Sequence, residues 1–295
     1  MHFRSPVRIA PWLALCLLSG CGDPPSKPSP PPVVNNQPPV ISSVVAGADR
    51  VEAGTEVEVV ATVTDAETPV EQLTYTWSAM PAGGVFTGTG TRVRWRAPSG
   101  ASSPDTYRFV VTVSEQYTSQ GQPQTNTVTS SSSGTHYNDS VAEITAVAVQ
   151  FYKDFGTYSV SAAECVRNFS NSCPGKAEEQ QQIQDNRNRT DFRIVGSTLL
   201  GSPSVSIGSQ RVTGEYRQRC QFEDVEIRTG RRYRVEGSCF LTAVYENWRW
   251  WLCDSRFQEP IVVSGPFLSG LPLSDLSESL RRRILPMTPG SRRLR

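Results

Sequence analysis

Seven cysteines and two histidines are where this 295-residue chain could carry nucleophilic, redox or metal chemistry. The histidines are His2 and His136, too few for a His-rich metal centre. Once the extreme N-terminus is set aside, His136 is the single imidazole base for a Ser-His-Asp or Cys-His arrangement. The five cysteines from residue 165 onward lack the close C-x₂₋₄-C pair that zinc sites use, so no metal is expected. Asp154, Asp191 and Asp224 are carboxylates that could serve as acid or base, and nothing in the sequence ranks them. No catalytic residue and no cofactor is assigned on these grounds. With 29 Lys+Arg against 28 Asp+Glu, the chain lacks the basic excess of a nucleic-acid binder.

The most informative cysteine is Cys21. Arg4 and Arg8 precede an apolar run of ten residues, Ile9 to Leu18, followed by Ser19-Gly20-Cys21. The run is too short to span a bilayer, which takes about 20 residues. Residues 1–20 therefore read as a secretory signal peptide. Leu18-Ser19-Gly20-Cys21 resembles the bacterial lipobox. The resemblance implies diacylation of the Cys21 thiol, cleavage before it and acylation of the new amino group. Two or three acyl chains anchor a protein stably where one is marginal. Gly22 favours outer-membrane over inner-membrane sorting, although Asp23 follows it. Residues 21–37 form a lipidated, Pro-rich linker: eight of the seventeen residues from Pro24 to Val40 are Pro. In polyproline II, at ~3.1 Å per residue, such a spacer reaches about 50 Å.

The elements beyond the spacer read first as strands. Val57, Val59, Ala61 and Val63 alternate with polar or solvent-facing positions. So do Leu73, Tyr75 and Trp77; Val93 and Trp95; and Tyr107, Phe109, Val111 and Val113. Period two marks half-buried strands. Turn residues separate them at Ala53-Gly54, Asp65-Ala66-Glu67, Ala82-Gly83-Gly84 and Ala97-Pro98-Ser99-Gly100. With Pro38-Pro39-Val40-Ile41, Leu73-Thr74-Tyr75-Thr76-Trp77 and Gly84-Val85-Phe86, residues 38–131 resemble the immunoglobulin-like β-sandwich of PKD type. The resemblance implies an all-β fold and no particular chemistry. Trp77 is expected in the core. Asp65 and Glu67 lack a full set of oxygen ligands for Ca²⁺ and read as a solvated turn. The Ser, Thr, Gln and Asn-rich stretch 114–139 reads as a flexible linker with an edge strand over Asn126 to Ser130, and 132–139 as linker throughout.

Residues 140–260 change character. Ser140 and Glu143 form a capping-box signature ahead of Ile144, Val147, Ala148, Phe151 and Phe155 at helical spacing. Ser161 and Glu164 form a second box, and Lys176 to Asp191 is a polar helix at best. Strands are expected over Phe192–Leu200, Val205–Val212, Gly214–Ile227, Arg232–Tyr245 and Trp248–Phe257, with hairpin turns at Thr229-Gly230 and Glu246-Asn247. Helices followed by an antiparallel meander make an α+β plan. Ile144 to Phe155 and the closing Glu246 to Asp254 resemble the nuclear transport factor 2-like (cystatin-like, SnoaL-like) cone, a curved antiparallel sheet wrapped on N-terminal helices. The fold class expected is thus multidomain, an immunoglobulin-like sandwich followed by an α+β cone.

An extracytoplasmic chain is expected to form disulfides, and five thiols allow at most two within one chain. A hairpin turning at Thr229-Gly230 places Cys220 opposite Cys239, within bridging distance. A turn at Glu246-Asn247 pairs Leu241 with Leu252 and puts Cys253 opposite Phe240, whereas a one-residue slip brings Cys239 to Cys253 instead. Cys165 and Cys173, close in sequence, form the other expected bridge, leaving Cys253 as a free, buried thiol.

In the resembled cone the concave face lines a pocket. The residues placed there are Phe151, Tyr152, Phe155, Tyr216, Phe222, Tyr233, Leu241 and Trp250. Aromatic walls of this kind suit a small apolar ligand and suit a plain core equally. Residues 261–295 form a basic tail, with Leu273, Leu276, Leu280 and Ile284 at amphipathic spacing and Arg281-Arg282-Arg283 beside them. The expected role is that of a lipid-anchored bacterial envelope protein without catalysis. A spacer or adhesive sandwich presents a domain that binds an envelope protein, a polymer or a small apolar ligand. An enzyme with acid/base chemistry in the cone, of isomerase or dehydratase type, and a structural envelope component are the alternatives.

Overall fold

The computed structural model describes residues 36–264 and 271–272, so the signal segment, Cys21, most of the Pro-rich spacer and the amphipathic tail lie outside the described residues. The described chain is mostly β, with several antiparallel sheets and few helices.

The first unit holds nine strands: β1 (Val40–Ala46), β2 (Arg50–Glu52), β3 (Glu56–Thr64), β4 (Thr74–Met80), β5 (Val85–Thr87), β6 (Arg92–Arg96), β7 (Asp105–Ser119), β8 (Gln122–Ser131) and β9 (Thr135–Asn138). One sheet runs β1-β3-β6-β5 and the other β2-β9-β7-β4, with β8 beside β7. The alternation in the sequence is what fills the space between them: Val59, Trp95, Phe109, Val111, Val113 and Tyr137 are fully buried in a single cluster. Trp95, not Trp77, sits at its centre, its indole N–H donating to Gly83 O at 3.1 Å. Trp77 is half-buried at the margin, against Phe86 at 6.1 Å between rings. Gly84 makes the central placement possible. Its φ is +68°, and a Cβ there would lie 2.4 Å from Trp95 Nε1.

The expected linker is mostly strand. β7 continues to Ser119, turns through Gln120 and Gly121 at positive φ, and returns as β8. Thr-rich sequence has strong β propensity even where it looks like spacer by composition. Residues 132–139 likewise do not form a linker: β9 pairs in parallel with β2, Arg50 opposite His136 and Glu52 opposite Asn138.

The second unit comprises α1 (Ser140–Phe155), α2 (Ala162–Cys165), α3 (Gly175–Arg187), β10 (Phe192–Ile207), β11 (Thr213–Glu226), β12 (Arg232–Glu246), β13 (Arg249–Ser264) and β14 (Leu271–Pro272), the strands forming one antiparallel sheet in that order. Asp139, not Ser140, caps α1, its carboxylate accepting from Ala142 N at 3.0 Å. Strand β10 runs through the two segments expected separately, with an irregularity between Leu200 and Ser204.

Registers differ from expectation by small slips with large consequences. Cys220 lies opposite Gly237, and Gln218 opposite Cys239, so the Cys220–Cys239 disulfide bridges a diagonal at Cα–Cα 5.9 Å. The next hairpin turns at Asn247-Trp248, both at positive φ, so Ala243 pairs with Leu252 and Leu241 with Ser255. A bulge then leaves Cys253 without a cross-strand partner. The segment after α2 pairs with the edge of β13 there: Ser170 N donates to Leu252 O at 2.8 Å and Leu252 N to Asn168 O at 2.9 Å. This run delivers Cys173 to Cys253, and these two form the second disulfide. The expected Cys165–Cys173 bridge is thereby corrected, and so is the free thiol, which is Cys165. Gly175 starts α3 against the same bulge, where a Cβ would lie 2.3 Å from Cys253 O.

Peptide mapping of the unreduced protein is expected to recover Cys173 joined to Cys253 and Cys220 joined to Cys239. Cys165 should be alkylated only after denaturation. A bridge that includes Cys165 would contradict the fold at the β13 bulge.

Candidate functional site

The eight residues placed on the concave face pack into one hydrophobic cluster, each 8% exposed or less. Phe169, Ile183 and Phe257 join them. Phe151 meets Phe169 edge-on at 5.1 Å, Phe155 meets Phe222 at 5.3 Å, and Phe222 meets Phe257 at 5.4 Å. These are contacts of a filled aromatic core. Phe155 borders a void of about 10 Å³, with Asn186 and Ile194 among its walls, which is room for about one water. Leu241 borders a hollow of about 220 Å³ with Phe240, Asp254 and Arg256.

Polar groups enter this core from α3. Its buried face carries Glu179, Gln182 and Asn186 around a single apolar residue, Ile183, besides Gly175. Ser255, buried on β13, donates to the Glu179 carboxylate, and the Tyr216 hydroxyl donates to Gln218. Burial, then the charges of Glu179 and Tyr216, push the Tyr152 hydroxyl well above the usual phenol range. Burial alone pushes Tyr216 to about 12. Neither phenol is an available base at neutral pH.

The three carboxylates separate by environment. Asp154 pairs with Arg167 at 2.6 Å. Asp191 pairs with Arg189 at 2.9 Å, and that hydrogen bond holds its pKa below the ordinary carboxylate range. Asp224 faces inward on β11, 1% exposed, and neither oxygen has a hydrogen-bond partner among the described residues. Burial raises its pKa to about 8, against the pull of Arg189 and with a small push from Glu223. It is a neutral acid at pH 7, chemically able to donate a proton.

The remaining nucleophile candidates close down. Cys253 is bridged, and the Cys165 thiol, 3.2 Å from an Arg187 nitrogen, is pushed up to about 11 by burial, which outweighs that cation. His136 stacks on Trp248 at 3.7 Å. Among the described residues no group of three or more His, Cys, Asp or Glu is placed to hold a metal ion.

What the sequence did not signal is the junction between the units. Asn138 is 0% exposed. Its Oδ1 accepts from Arg50 Nε at 3.1 Å and from the Tyr245 hydroxyl at 2.6 Å, and its Nδ2 donates to Glu143 Oε1 at 2.8 Å. Arg50 lies over the Tyr245 ring at 3.5 Å and reaches Arg211 O at 2.8 Å. Ser140 Oγ donates to Glu52 at 2.8 Å and accepts from Trp250 Nε1 at 2.8 Å. The supposed capping box thus spends Ser140 and Glu143 on the neighbouring unit. Beside this network opens a cleft of about 460 Å³, lined by Glu52, Ala53 and Thr55, by Asp139, Ser140 and Val141, and by Ile207, Gly208, Ser209 and Arg211.

No family model matches the chain, and no curated protein matches it. Among solved structures it is similar to a nuclear transport factor 2 (NTF2-like) superfamily protein from Salmonella enterica subsp. enterica serovar Typhimurium str. LT2, with 12% identity and a TM-score of 0.34, over 44% of this chain and 93% of that one. At that identity and TM-score the likeness carries no argument about this chain.

Two measurements test these assignments. Asn138→Ala leaves the Tyr245 hydroxyl without its partner and takes one bond each from Arg50 and Glu143, and is expected to cost about 2–4 kcal/mol in urea unfolding; a loss under about 0.5 kcal/mol would remove the junction's importance. For Asp224, the folded pKa of about 8 exceeds the ordinary value of 3.8. Its contribution to stability is therefore full below the ordinary value and is lost as pH rises through 8. The slope is at most about 1.4 kcal/mol per pH unit for one proton. Asp224→Asn should remove that decline; superimposable pH profiles of the two proteins would refute the neutral carboxyl.

Proposed function

We propose that the protein is a bacterial cell-envelope lipoprotein without catalytic activity. In this reading Cys21 carries the lipid, residues 21–37 are the spacer, and a PKD-type immunoglobulin-like sandwich presents a nuclear transport factor 2-like domain that binds a ligand or partner. The observation that carries the reading is the pair of disulfides, Cys173–Cys253 and Cys220–Cys239. Disulfides are rare in reducing cytosol and ordinary in secreted proteins, which agrees with the signal segment and lipobox. The filled inner face of the second unit supports a partner-binding role over a substrate pocket. The Gly22 position supports outer-membrane sorting.

Acid–base catalysis within the second unit is the second reading, and Asp224 favours it, as a buried carboxyl kept protonated at neutral pH.

Labelling with a palmitate analogue in a Gram-negative host separates tethered from soluble protein. The wild type is expected to take up label and partition with membranes. Cys21→Ser should lose the label and remain as uncleaved precursor. Unlabelled, full-length wild-type protein in the cytosol would overturn the envelope reading.

A further inference from the structure

We propose that the cleft at the junction binds a short zwitterionic peptide with small aliphatic side chains. The proposal supplies a ligand class for the binding role above, and it rests on that reading only for the ligand's biological source, not for the chemistry.

The cleft is the right kind of space. Its volume of about 460 Å³ falls within the ~300–1,000 Å³ of small-molecule sites, which gather at domain interfaces. Its walls are fixed rather than loose. Arg50 holds the turn after β10 by the carbonyl of Arg211, and Glu52 is tied to Ser140 N and Oγ at the start of α1.

The charges decide the ligand. Glu52 is paired with Arg50 and offers no free charge. Asp139 uses one oxygen to cap α1, and its carboxylate forms no ion pair among the described residues. Arg211 lines the same cleft with φ +55°, an uncommon conformation for a long side chain, and its guanidinium likewise has no ion pair among the described residues. The two opposite charges border one cleft without being joined. A neutral sugar filling the space would desolvate both without replacing either counter-charge. A simple anion would satisfy Arg211 and meet Asp139, and a simple cation the reverse. A ligand with an ammonium at one end and a carboxylate at the other compensates both, the carboxylate in the forked geometry that guanidinium favours. The same cleft is lined by Val141, 51% exposed at the first turn of α1, and by half-buried Ile207 and Ala53. That short aliphatic floor suits methyl-sized side chains.

The test is calorimetric titration of the full mature protein in detergent with trialanine. Saturable binding is expected. Acetylating the amine or amidating the carboxylate should each weaken it roughly tenfold or more. Asp139→Asn retains the helix cap, since Asn caps as well as Asp, and should weaken free trialanine but leave N-acetyl-trialanine unchanged. Arg211→Asn, a residue that tolerates positive φ, should do the same for the carboxylate end. No binding at millimolar peptide, equal binding of the doubly blocked peptide, or tighter binding of maltotriose would each overturn the proposal. The unlipidated Cys21→Ser protein should bind trialanine equally, so a failed lipid assay and a failed titration report on separate ideas.

Discussion

A buried asparagine sets the geometry of this molecule. Asn138 ends the last strand of the first unit, and its side chain bonds Arg50 of its own unit and Glu143, Tyr245 and Trp248 of the second. Burying an amide is unfavourable unless every donor and acceptor is met. Here one arrangement meets them: Arg50 from β2, Tyr245 from β12, Glu143 from α1 and the carbonyl of Trp248. Such a network tolerates no gradual bending, because losing one partner leaves others unpaired in low dielectric. Glu143 lies in the first turn of α1, where the helix dipole favours a negative charge, so the carboxylate that receives Asn138 is stabilised from behind.

The second unit shows the same rule from the other side. Its aromatic side chains close the inner face, and the cost of polar groups there is met by pairing: Ser255 with Glu179, Tyr216 with Gln218, Gln218 with Gly201 O at 2.5 Å. The Tyr152 hydroxyl, Asn186 Nδ2 and Asp224 are exceptions, and Asp224 is the acid among them. With no hydrogen-bond partner among the described residues, it resolves the cost by staying protonated. Helix α3 is held by these polar contacts and by the adjacent Cys173–Cys253 bridge, not by an apolar stripe, which explains how so polar a segment stays folded.

Strand content was legible because period two is a direct consequence of one buried face: Val57 to Val63, Val93 and Trp95, and Tyr107 to Val113 point inward as the alternation requires. Helix α1 was legible from Ile144, Ala148, Phe151 and Phe155 for the same reason at period 3.6. Composition misled over 114–139, since Thr and Ser serve a strand edge as well as a linker. Register was beyond reach. The Cys220–Cys239 bridge forms although its residues are not opposite, and the Cys253 bulge has no signature in residue type. The aromatic residues proposed as pocket walls lie buried in one cluster, but whether rings meet or stand apart depends on the strand slips that sequence does not encode. The junction cleft was invisible, because it joins residues 52, 139 and 211, which no local pattern connects.

The turn at Asn247-Trp248 shows why the boundary between the units is one of sequence more than of physics. A two-residue hairpin of this hand needs positive φ at both positions, and tryptophan is a poor choice for it, with a side chain that clashes in the left-handed region. Contacts from the first unit offset that strain: the Trp248 ring stacks on His136 of β9, and its carbonyl accepts from Asn138 Nδ2 at 3.4 Å. Strained backbone persists where surrounding contacts over-determine it. The hairpin that closes the second unit's sheet is therefore shaped by a strand of the first. Because Arg249 opposite Glu246 begins the pairing that sets β13, the register of that strand, and with it the wall of the core, depends on contacts made across the boundary.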